Sequence, residues 1–227
     1  MDRIFSMDSP VIRFLNRVGD LLILNFLVMF CCIPVITAGA AFTGMHYVLL
    51  KIVRDEEGYL VKGFFKSFKQ NFKQATILWM LILFAIIVYV GDVLIFNYSG
   101  LEFPKVFAVL IMAVAIVLLM TAVYIFPILA RFDNTIKNTL KNAFLMAFLN
   151  LPKTLLMVLL IVLPFIILHY SAYSSVFVFM FGFSLPAYAS ALLYSKIFKK
   201  FEPEDETVVS DYEFSVNTEG ESEEGNA

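Results

Sequence analysis

Charge is scarce in this chain. Asp, Glu, Lys and Arg make up 16% of its 227 residues, against about 25% in soluble domains. Hydrophobic residues make up 60%, which excludes an ordinary soluble domain. The surplus falls into runs long enough to cross a ~30 Å hydrocarbon core. Cysteine is scarcer still. Cys31 and Cys32 are neighbours, so they provide neither a disulfide framework nor a four-ligand zinc site. Two histidines are present, His46 and His169. No GxSxG, HExxH, phosphate-loop or dinucleotide fingerprint occurs, and no pair of apolar runs unites the carboxylates or histidines of an intramembrane hydrolase. The residues read as a non-enzyme without a cofactor.

Lys and Arg are absent from residues 201–227, which hold ten acidic residues. Residues 1–200 hold all 17 basic residues and nine acidic ones. The body is therefore basic and the tail acidic, and two domains are expected: a polytopic helical membrane domain at 1–200 and a disordered acidic tail at 201–227. The first apolar run ends without a small-residue cleavage site, so the N-terminus is expected to remain on the protein.

Within the body, apolar runs separate basic clusters at membrane-crossing intervals. The run 21–53 is interrupted by Pro34, Thr37 and Gly39. A single helix there would be ~50 Å long, so two spans joined by a tight turn at 34–40 are favoured, with a re-entrant hairpin as the alternative. Further spans are expected at 76–96, 104–130, 154–170 and 175–195. With both ends inside, 16 of the 17 basic residues face the cytoplasm and only Lys105 lies outside, as the positive-inside rule requires.

Two basic segments between spans have helical periodicity. In 60–73, Lys62, Lys66, Lys69 and Lys73 fall within about 60° on a helical wheel. Val61, Phe64, Phe65, Phe68 and Phe72 take the opposite face. Such a helix suits a membrane interface, so these lysines and phenylalanines are the candidate lipid-binding residues, facing an anionic inner leaflet. A weaker copy of the pattern follows at 134–151. Polar residues within spans are few, and functional by default: His46, Asp20, Asn25 and Asp92. For Asp20 and Asn25, pairing with Arg17 or contact with another helix is the favoured explanation. Gly39, Gly44 and Gly91 would permit close helix contact. Pro34, Pro127, Pro164 and Pro186 interrupt apolar runs, as in the broken helices of transporters.

Four stretches carry a family likeness: GDLLILNFL (19–27), IPVITAGAAFTGMHYVLLKIV (33–53), the EEG and FFKSFKQNFKQAT stretch (56–76), and NAFLMAFLNLPKTLL (142–156). Through them the chain resembles the YesL-like family of small bacterial integral membrane proteins, over roughly residues 1–200. The resemblance implies a domain of unknown function and a setting near carbohydrate uptake transporters and two-component sensors. It brings no catalytic residue with it.

The expectations are thus an all-α membrane protein, a bundle of about six transmembrane helices in three hairpins, with two amphipathic cytoplasmic elbow helices. It would sit in a bacterial plasma membrane with both termini inside. The expected function is a non-enzymatic accessory or regulatory component associated with carbohydrate uptake; a small oligomeric transporter or channel is the alternative. The expected partners are the lipid bilayer and a membrane transporter complex or sensor protein, with a homo-oligomer as a further association. Nucleic acid is not among them.

Overall fold

The computed structural model describes residues 10–56, 58–98, 104–170, 173 and 175–201. The acidic tail and most of the expected turns at 97–103 and 171–174 lie outside them. In chain order the elements are α1 (Pro10–Cys32), a 3-10 turn (Val35–Thr37), α2 (Ala38–Val53), α3 (Leu60–Tyr98), α4 (Lys105–Arg131), α5 (Ile136–Leu149), α6 (Leu151–Tyr170), α7 (Ser175–Phe181) and α8 (Ser184–Phe198). Five helical lengths are long and apolar enough to cross a membrane, and the α7–α8 pair, bent by 51°, makes a sixth if taken as one span. The protein is an all-helical, multi-pass membrane protein. Its described residues fall into two compact units that divide between residues 193 and 194; in the second, the Tyr194 and Phe198 rings pack 5.1 Å apart.

Two connections differ from expectation. The amphipathic segment 60–73 is not a separate elbow, because α3 runs without a break through it and the apolar segment beyond. Nothing between Leu60 and Tyr98 stops a helix. Gly63 and Gly91 each cost about 1 kcal/mol in propensity but keep their N–H groups, and there is no proline. The second basic segment does form its own helix, α5. Its C-cap residue Asn150 leaves helical geometry, and Pro152 then falls in the first turn of α6, where its missing N–H costs nothing.

The sixth expected span is also broken. A Cβ at Gly182 would collide with the Val178 carbonyl oxygen, so this tight turn requires glycine. Pro186 sits in the first turn of α8, again where it is tolerated.

In the first unit, the core gathers toward the basic end. α2 is its centre. Ala38, Ala40, Ala41, Met45, Val48, Leu49 and Leu50 are all buried. Phe64, Ser67, Ala75 and Leu78 of α3 form a buried stripe, spaced for one helical face. Glycine lets α2 and α3 approach: a Cβ at Gly39 would stand 2.5 Å from the Ala75 oxygen, and one at Gly44 would stand 3.0 Å from the Phe64 oxygen. Gly91 meets nothing within 4 Å and serves no such contact. Met120 to Ala130 of α4 are mostly buried as well, whereas Val106, Val109, Met112 and Ile116 at its other end are exposed. Those exposed apolar faces belong against lipid.

Candidate functional site

Asn25 is a heavily used polar side chain on α1. It is fully buried on α1 and brackets the break between α7 and α8. Its Nδ2 donates to the Phe179 carbonyl at 2.9 Å. Its Oδ1 accepts from the backbone N–H groups of Phe183 at 3.0 Å and Ser184 at 3.3 Å. A helix interrupted in lipid leaves backbone donors and acceptors that must find partners within the protein. One amide satisfies groups on both sides of the break because it both donates and accepts. The Phe26 and Phe179 rings, 6.0 Å apart edge to face, pack beside it.

A second buried polar cluster ties α4, α5 and α6. The Thr154 hydroxyl donates toward the carbonyls of Ala147 at 2.9 Å and Asn150 at 3.0 Å. It therefore accepts from the Tyr124 hydroxyl, 3.2 Å away. The threonines at 43 and 121 donate to carbonyls four residues back. Trp79 donates its Nε1 proton to the Val35 carbonyl at 2.7 Å, joining α3 to the 3-10 turn.

The amphipathic segment keeps its charged face and divides its aromatic one. Lys62, Lys66, Lys69 and Lys73 are exposed, and the Lys62 ammonium sits 4.6 Å from the Tyr59 ring centroid. Phe64, expected among the lipid-facing residues, is instead fully buried against α2. Phe65 and Phe72 are exposed and Phe68 is half-buried. These rings form a row with centroids 6.3 Å (Phe65–Phe68) and 5.6 Å (Phe68–Phe72) apart. Each lysine near an anionic leaflet contributes ~1 kcal/mol of attraction. Replacing all four by Gln should therefore deplete anionic lipid from what co-purifies with the protein, read by mass spectrometry. An unchanged lipid profile would leave this face as a simple solvated surface.

Beside this segment opens a polar cleft of about 630 Å³, lined by Tyr47, Ser67, Gln70, Asn71, Gln74 and residues 129–135. Asn71 donates to the Ser67 carbonyl at 3.2 Å, which holds its amide against the wall. Gln70 and Asp133 are exposed and Gln74 and Asn134 half-buried, so the cleft offers donors, acceptors and one carboxylate to anything that enters. The sequence hid this feature, because its walls come from three separate stretches.

The remaining candidates do not converge with it. His46 is half-buried on α2, Asp20 on α1 and Asp92 far along α3. The partner of Arg17 is Asp55 at 2.6 Å, not Asp20. Arg17 also donates to the Tyr188 hydroxyl at 3.4 Å. Asp55 stands just past α2 with a φ of 55°. Both ends of the pair are exposed, so it fixes geometry more than stability. Among the described residues no three His, Cys, Asp or Glu side chains gather as metal ligands would.

Neither the curated proteins nor the solved structures yield a match. Residues 21–93 do match a family described as "Protein of unknown function, DUF624". That segment takes in Asn25, the close α2–α3 pair and the lysine row, and the match bears out the YesL-like resemblance over those residues.

Proposed function

We propose that this protein is a non-enzymatic accessory or regulatory membrane protein whose polar cleft receives a polar segment of a partner. The partner would be a transporter complex or sensor, and the basic end of the bundle would face the cytoplasm by the positive-inside rule. The observation that carries this reading is how the polar groups are distributed. Inside the helices, Asn25, Tyr124, Thr154 and Thr43 are spent on one another or on backbone, while the amides of Gln70, Gln74 and Asn134 gather in the cleft. A solute path would instead need polar groups turned toward it along several helices. A link to carbohydrate uptake rests on the family resemblance alone and names the first partners to try.

A small transporter is the second reading, favoured by the bend between α7 and α8, since broken helices often flank substrate sites. The two separate in one pair of assays. Purified protein in liposomes should leave the flux of polar solutes at the protein-free level. Gln74→Leu combined with Asn134→Leu should cut partner recovery from native membranes about tenfold, the equivalent of ~1.4 kcal/mol, with thermal stability unchanged. Solute flux above background, with partner recovery insensitive to the cleft, would favour transport.

A further inference from the structure

We infer that the α1–α2 hairpin does not cross the membrane: it is a re-entrant anchor whose apolar tip enters the leaflet at the basic end and leaves by the same face. The argument comes from which part of α3 lies beside α2. Gly39 of α2 abuts Ala75 and Trp79, Gly44 abuts Phe64, and Gly63 lies against Tyr47 and Val48. The Phe42 and Trp79 rings are 5.6 Å apart, and Trp79 is hydrogen-bonded to Val35 at the hairpin tip. All of α2, ~24 Å long at 1.5 Å per residue, therefore lies along the stretch of α3 between Leu60 and Trp79.

That stretch is the wrong one for hydrocarbon. It carries Lys62, Lys66, Lys69 and Lys73, all exposed, and lysines held at mid-membrane are costly. The part of α3 that can cross is 75–96, 22 residues or about 33 Å long, matching a ~30 Å core. α4 agrees, because Arg131 lines the cleft opposite Gln74. With α3 so placed, Trp79 stands about one turn inside the basic face. The hairpin tip bonded to it stands there too, about 25 Å short of the opposite face.

The tip is built to contact lipid. Phe30 and Ile33 are each 73% exposed, Val35 59% and Ile36 55%. Val11, Leu15, Ile23 and Phe26 continue an exposed apolar face along α1. On a helical wheel Arg13 and Arg17 fall opposite that face. A helix with that division enters an interface obliquely. Arg17 and Asp55, bonded across the open end of the hairpin, hold its two legs at one side. Irregular backbone at the 3-10 turn is tolerated at this depth because Thr37 donates to the Pro34 carbonyl at 2.8 Å and Trp79 caps Val35. The occupant of this apolar surface is therefore the acyl region of one leaflet.

Sidedness decides the matter. Ile36→Cys, Lys66→Cys and Tyr98→Cys, each in a Cys31→Ser and Cys32→Ser background, would be treated with a membrane-impermeant maleimide in sealed vesicles of both orientations. Lys66 and Tyr98 should label from opposite faces. Ile36 should label from the Lys66 face or from neither, and a nitroxide at Ile36 in liposomes of the purified protein should report high oxygen accessibility. Labelling of Ile36 from the Tyr98 face would overturn the inference. Low oxygen accessibility would overturn it equally, since protein would then cover the tip. The unsubstituted chain gives a second readout that needs no folding of a variant. Its only thiols, Cys31 and Cys32, close the same leg of the hairpin, and reaction of either from the Tyr98 face would also refute it.

Discussion

Replacing Asn25 by Leu should destabilise the protein by about 2–4 kcal/mol. The substitution strands the Phe179 carbonyl and the Phe183 and Ser184 N–H groups, all now paired with one buried amide. A buried group left unsatisfied costs about 1–3 kcal/mol. Polar contacts within membranes average nearer 0.6 kcal/mol when both partners are removed; here three backbone groups stay behind, so the larger figure governs. Asn25→Ser should recover part of the loss, because a hydroxyl still offers one donor and two acceptor lone pairs. Unfolding in mixed detergent micelles measures this. A Leu variant as stable as the parent would mean that the break between α7 and α8 needs no bracket.

Gly39→Ala should cost about 3 kcal/mol, while Gly91→Ala should be neutral or stabilising by up to ~1 kcal/mol. Both glycines are helical, so the propensity term favours alanine at each by the same amount. They differ in what surrounds them. A methyl at Gly39 would sit 2.5 Å from the Ala75 oxygen and 2.6 Å from the Trp79 Cβ, neither of which is the far end of a flexible side chain. Relief requires α2 and α3 to separate, which opens the tightest interface of the core and stretches the Trp79–Val35 bond. Forcing extra atoms into a packed site costs 1–3 kcal/mol and sometimes more. At Gly91 the methyl meets nothing within 4 Å. The same unfolding assay reads both, and equal effects at the two positions would contradict the close approach of α2 and α3.

Helix existence was legible in the sequence because length and apolarity suffice to report it, from α1 to α6. Continuity was harder to see. The change from Lys and Gln to apolar residues near 74–76 reports a change of surroundings, and the backbone ignores it. A true break, as at Asn150 before Pro152, follows from what the backbone can bond. Pro186 was visible as punctuation, but the amide that makes the break before it tolerable is on α1, over 150 positions away. Phe64 differs from Phe65 and Phe72 only because Gly44 on another helix makes room for it. The wheel assigned all of them to one face, and packing then used half of that face. The cleft was invisible for the same reason, since no single stretch holds more than part of its wall.

The central claim is that the cleft at the basic end is where this protein meets a partner. A photo-activated benzophenone at Gln70, on the cleft wall, tests it in native membranes. The account predicts one discrete protein adduct from Gln70, lost when Gln74→Leu and Asn134→Leu are added. The same probe at Phe84, an exposed apolar position further along α3, should join only to lipid. Absence of a protein adduct at Gln70, or an adduct that survives both cleft substitutions, would contradict the account.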